Sequence, residues 1–160
     1  MNTIGQRLEE GYSLKNQGKV EEAKKILMEI YTSYENEDFS KDDNLLQNYI
    51  SCLLGLGEIY MIEKNLEESL VYYKKGDLLT KGKNFNVVFN LGVVFTNLND
   101  KKNADKYLKL AQKMEPNNQN LINFLQIKSD SDSKSENNTE TSKYDESFVK
   151  KIQNMINSIK

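Results

Sequence analysis

The sequence has no histidine and one cysteine, Cys52. Lack of histidine removes the imidazole base, the conventional Ser–His–Asp triad and every histidine metal ligand. One cysteine can form neither an internal disulfide nor a cysteine-type zinc site. A reactive thiol would need a base that the chain lacks, so Cys52 reads as a small helix residue, in agreement with a reducing cytosol or nucleus. Long apolar runs are missing too. Nothing approaches the ~18–20 residues that cross a bilayer, and residues 1–7 have no signal-peptide h-region. Neither sign of charge is in large excess: Lys and Arg number 22, Asp and Glu 24, for a net charge of −2. The two signs interleave, which leaves no basic face for a phosphate backbone and excludes a nucleic-acid partner. Lys101, Lys102, Lys106, Lys109 and Lys113 read as a solvated helix flank.

Phosphate and metal motifs are equally absent. The glycines are scattered among separate helical segments, so no phosphate-cradling loop or dinucleotide fingerprint forms. Gly55-Leu56-Gly57 comes nearest, in mid-helix with no strand before it. Carboxylate pairs such as Asp42-Asp43 and Glu67-Glu68 are consecutive and diverge on a helix. Asp130-Ser131-Asp132 opens like a calcium loop, but the glycine and distal glutamate are not in register. The expectation is therefore no enzyme activity, no catalytic residue, no metal and no cofactor.

What is present is a repeat. Leu56-Gly57, Tyr60, Ser69 and Tyr73 return as Leu91-Gly92, Phe95, Ala104 and Leu108, a shift of 35 residues. An earlier copy, Gly11, Leu14, Ala23 and Leu27, lies 46 residues before the middle one. Glycine inside a helix costs about 1 kcal/mol relative to alanine, so three in register mark close helix approach. Ala23, Ser69 and Ala104 are small where a second helix would cross the first. The only proline, Pro116, falls where the unit ends. Apolar spacing predicts helices over about 3–15, 20–34, 44–63, 66–80, 85–98 and 101–114. The third is over-long, because 12 extra residues separate the first two units. Thr3 with Gln6 and Asn65 with Glu68 read as capping pairs.

On these residues the chain resembles the tetratricopeptide-repeat family over 3–116, through a unit of about 34 residues with two alternating helical faces. The resemblance is weaker in the first repeat, where Arg7 and Glu10 replace large apolar residues, as suits a terminal cap. It implies an all-α, right-handed superhelix of three helix-turn-helix repeats (about 4–37, 50–83 and 85–118) with a capping helix at 119–128. Together these make a domain over 1–128. Leu121, Ile122, Leu125 and Phe124 would cover the last repeat's open face. Beyond it, 129–147 reads as an acidic, disordered linker and 148–160 as an amphipathic helix. The linker's serines next to acids, Ser129, Ser131 and Ser135, would suit phosphorylation if the source is eukaryotic. Phe148, Ile152, Met155, Ile156 and Ile159 fall on one face of the terminal helix, beside three lysines and no acid.

The resemblance also implies the site. First helices of such repeats line a concave groove, with exposed positions three residues before and one after the glycine. These are Leu8 and Tyr12, then Leu54 and Glu58, then Phe89 and Val93, with Met61, Asn90 and Asn97 close by. The competing reading packs Leu8 and Leu54 against neighbouring helices. The layout of three repeats, a spacer after the first and a trailing helix resembles the repeat module of large immunophilins. Relatives that hold the acidic C-terminus of heat-shock proteins use a clamp of lysine, arginine and asparagine. Its positions carry Leu8, Tyr12, Gly55, Asn86 and Asn90 here, none cationic, which argues against that ligand. The expected function is a cytoplasmic, non-catalytic adaptor, an assembly factor or complex subunit, that takes a peptide or helix of a protein partner. The alternative is a membrane-surface or regulatory protein that works through its basic terminal helix, with self-association through that helix also open.

Overall fold

The computed structural model describes residues 3–134, and among these every element is helical. Helices α1 (Ile4–Asn16) and α2 (Val20–Tyr34) form a first hairpin, α3 (Asp43–Ile62) and α4 (Leu66–Thr80) a second, α5 (Phe85–Asn97) and α6 (Lys101–Met114) a third. A seventh helix, α7 (Gln119–Lys134), follows. This is the expected tetratricopeptide superhelix. The linker beyond residue 134 and the terminal helix at 148–160 lie outside the described residues.

Local chemistry sets the helix starts. At α1 the Thr3 hydroxyl accepts from the Gln6 amide while the Gln6 side chain accepts from the Thr3 amide, a complete capping box. Asp42, Asn65, Asn84 and Asp100 cap α3, α4, α5 and α6 through side-chain oxygens. Within the turns, Gly18 and Gly82 take positive φ of 79° and 71°, which glycine adopts without steric cost.

Two features differ from the sequence reading. The polar stretch after α2 contains a 3-10 turn, Phe39–Lys41, whose Phe39 ring stacks on Tyr49 at 4.8 Å. The helix expected at 119–128 continues to Lys134, through the first residues assigned to the linker. Neither glycine nor proline occurs between 119 and 134, so nothing stops a helix nucleated on the packed Leu121.

Helix α3 is the hub, in contact with α1, α2, α4 and α5. Its 20 residues and mean hydropathy of 1.2 make it long and apolar enough to cross a membrane by those measures, which the sequence reading did not anticipate. Here it is a core helix: Tyr49, Ile50, Leu53, Leu56 and Ile59 are all buried. Cys52 is buried as well and donates to the Leu27 carbonyl at 3.1 Å, and burial pushes its thiol up to about 12. It is a packing residue.

Tyr49 is fully buried between Phe39 and Tyr31, and its hydroxyl has no hydrogen-bond partner among the described residues. A desolvated polar group left unpaired costs about 1–3 kcal/mol, whereas its removal leaves the ring packing intact. Tyr49→Phe is therefore expected to leave stability unchanged or raise it by up to that amount, measured by urea unfolding. A loss above about 1 kcal/mol would show that the hydroxyl is satisfied.

Candidate partner-binding groove

The concave side follows from how the hairpins stack. First helices approach one another directly, α1 on α3 and α3 on α5. Second helices meet through long side chains: Tyr72 edge-on to Tyr31, Lys75 over Tyr31 and Lys74 against Tyr107. Close spacing on one side and wide spacing on the other curves the array around its first helices.

That close spacing depends on glycine. A Cβ placed on Gly57 would lie 2.5 Å from Tyr73 Cε1, and one on Gly92 would lie 2.7 Å from Leu108 Cδ2. Neither separation is sterically possible, so α3 against α4 and α5 against α6 require the missing side chain. Ser69 completes the second crossing by donating its hydroxyl to the Gly57 carbonyl at 2.8 Å.

The expected groove residues divide by role. Leu8 is only 5% exposed and belongs to the core, a correction to its placement on the groove wall. Its side chain packs inward at the end of the array, in line with the competing reading. Tyr12 is half-buried, and its hydroxyl donates to the Ser51 carbonyl at 2.7 Å. Burial, then the nearby Glu58 carboxylate, holds that hydroxyl above the ordinary tyrosine range. Glu58 is ion-paired with Lys15, whose ammonium sits 4.7 Å from the Tyr12 ring centre. Tyr12, Lys15 and Glu58 thus knit α1 to α3, so two expected contact residues are already engaged within the array.

Leu54, Met61, Asn90 and Val93 are half-buried on α3 and α5, and Asn97 is exposed. Phe89 is half-buried too, stacked on Phe85 at 5.8 Å and edge-on to Phe124 of α7 at 5.8 Å. The groove is therefore polar and knit at the α1 end and aromatic at the α7 end. Sequence reasoning missed Lys15 and the role of Phe85. Lys15 stands one helical turn after Tyr12, and Phe85 one turn before Phe89, so the i, i+3 and i, i+4 spacings were the available signals. Among the described residues no cluster of His, Cys, Asp or Glu could hold a metal ion.

The family model of the tetratricopeptide repeat matches residues 85–118, the hairpin of α5 and α6. That hairpin is a tetratricopeptide repeat. A solved structure with the same fold is the C-terminal tetratricopeptide-containing domain of a Plasmodium falciparum protein described as FK506-binding. It matches at 21% identity and a TM-score of 0.64, over 84% of this chain and 97% of that one. No curated protein matches the sequence. Tetratricopeptide repeats form protein–protein interaction modules.

Proposed function

We propose that the chain is a non-catalytic adaptor that holds a short apolar segment of a protein partner, a peptide or one face of a helix, in the concave groove. The supporting observation is the strip of Leu54, Met61, Phe89 and Val93. These side chains are half-buried on adjacent first helices, while the residues between them, Leu56, Ile59 and Leu91, are fully buried. A strip of this kind supplies area for burial, and Asn90 and Asn97 beside it supply polar contacts that fix register. Lys15, at the groove's α1 end, is committed to Glu58. Asn86 and Asn90 stand where a carboxylate clamp would need positive charge. The groove thus favours an internal apolar segment over an acidic C-terminus.

A displayed library of short random peptides, selected on the full chain, tests the reading. Enrichment of aromatic and aliphatic residues is expected. Val93→Asp and Phe89→Ala should each weaken selected peptides by about thirtyfold or more, the effect of about 2 kcal/mol at an interface centre. Far-UV helicity should be retained. Selection of peptides ending in acidic residues, or equal binding by both variants, would overturn it.

A further inference from the structure

The end of the array is an unfinished hairpin. A shift of 34 residues lays α7 on α5: Phe85 becomes Gln119, the first residue of each helix, and the caps Asn84 and Asn118 coincide. Both asparagines accept through Oδ1 from the amide three residues on, Val87 at 3.1 Å and Leu121 at 3.3 Å. The same shift carries Val88, Leu91, Gly92 and Phe95 onto Ile122, Leu125, Gln126 and Ser129. In the third hairpin that face is buried, with Gly92 against Leu108 and Phe95 stacked on Tyr107, both of α6. On α7 its counterparts, together with Gln112 of α6, line a hollow of about 590 Å³. Leu91 is fully buried, whereas its counterpart Leu125 is half-exposed. The hollow lies where the second helix of a fourth hairpin would pack.

The chain holds a segment that fits. Helix α6 presents Ala104, Tyr107, Leu108 and Ala111 to the core, and 148–160 repeats that spacing as Ile152, Met155, Ile156 and Ile159. The second match is shifted by 48 residues, which is 34 plus 14 extra residues in the connection. We propose that 148–160 folds back as this delayed second helix and seats its apolar face in the hollow between α6 and α7. Reach is no obstacle. Thirteen residues, 135–147, separate the two segments and extend to about 45 Å at 3.3–3.6 Å each, while α7 itself is about 24 Å long. A helix of 13 residues is marginal alone and needs an apolar surface, and a tether of this length offers one at roughly millimolar effective concentration. Gln126 stands in place of Gly92 and Ile152 in place of Ala104, so this crossing is wider than the one it imitates.

Hydrogen exchange on the full chain provides the test. Amides of 148–160 are expected to exchange about tenfold or more slowly than the intrinsic rates for their sequence. Ile156→Asp and Ile122→Asp should each restore intrinsic rates, with protection in α1 to α6 unchanged. Ile122 is suitable because it is not packed against the buried core cluster. Intrinsic rates in the unaltered chain would overturn the proposal. So would protection that survives Ile122→Asp, which would place the segment elsewhere, or protection lost on dilution, which would assign the hollow to a second copy.

Discussion

Tyr73→Ala is expected to lower the free energy of unfolding by about 3–5 kcal/mol and Gly57→Ala by about 1–3 kcal/mol, with the double variant losing less than the sum. Tyr73 is 1% exposed, and its ring edge fills the gap that Gly57 leaves in α3. Its truncation opens a cavity at the crossing of α3 and α4. A methyl on Gly57 would meet Cε1, Cζ and Cδ1 of that ring at 2.5, 2.6 and 2.9 Å. The ring is enclosed, so the two helices must separate. Alanine's advantage as a helix former, about 1 kcal/mol, offsets only part of that cost. With Tyr73 truncated, the added methyl occupies part of the cavity, and the two changes should couple favourably by about 0.5–3 kcal/mol. Urea unfolding of the four proteins in the cycle gives the coupling directly. Additive losses would mean that Gly57 serves the helix backbone alone and that the crossing tolerates a side chain.

The same pair shows why the fold was legible in the sequence. A glycine and a large residue 16 positions apart occur together as Gly11 with Leu27, Gly57 with Tyr73 and Gly92 with Leu108. Each pair marks a crossing, because helix packing at this distance leaves room for one side chain only. Capping residues then set helix bounds closely: the fourth and sixth helices fall where expected, at Leu66–Thr80 and Lys101–Met114. The groove was less legible, for a physical reason. The repeat register gives the direction a side chain leaves its helix, while engagement depends on what the neighbouring helix extends across the gap. Tyr12 points as the register implies, yet Ser51 takes its hydroxyl. Glu58 does too, yet Lys15 takes its charge. Leu8 has the right register and is buried at the end of the array. Phe89 is read correctly as a first-helix aromatic, but its contact with Phe124 depends on where α7 docks.

Lys74→Met is expected to stabilise the protein at pH 7 by roughly 2–3 kcal/mol, and this advantage should vanish by about pH 10.5. Lys74 of α4 lies between the hairpins, against the Tyr107 hydroxyl and over the Phe95 and Tyr107 rings. Burial pushes its ammonium down from 10.5 to about 8; Asp77 and Asp100 oppose the shift and Lys106 adds to it. The depressed value fixes the sign. Below pH 8 both folded and unfolded chains carry the proton, so the cost of burying the charge is fully present. Between about 8 and 10.5 the folded chain releases it while the unfolded chain keeps it, so Lys74's contribution to stability rises with pH. Other groups act in the opposite sense. Cys52 and several buried tyrosines, Tyr49 and Tyr73 among them, have folded values above their usual ones, so they lose stability as pH climbs past 9 and 10. The raw pH profile therefore mixes the two. The difference between Lys74→Met and the unaltered chain isolates the lysine, because the other groups are common to both. Methionine keeps the unbranched stem and leaves the Tyr107 hydroxyl donating to Asp77 at 3.2 Å. Chemical unfolding at half-unit steps from pH 7 to 10.5 would show the gap closing. A variant less stable than the parent at pH 7 would mean that Asp77 and Tyr107 outweigh the cost of burying the charge, and a gap independent of pH would mean that burial does not push the ammonium down.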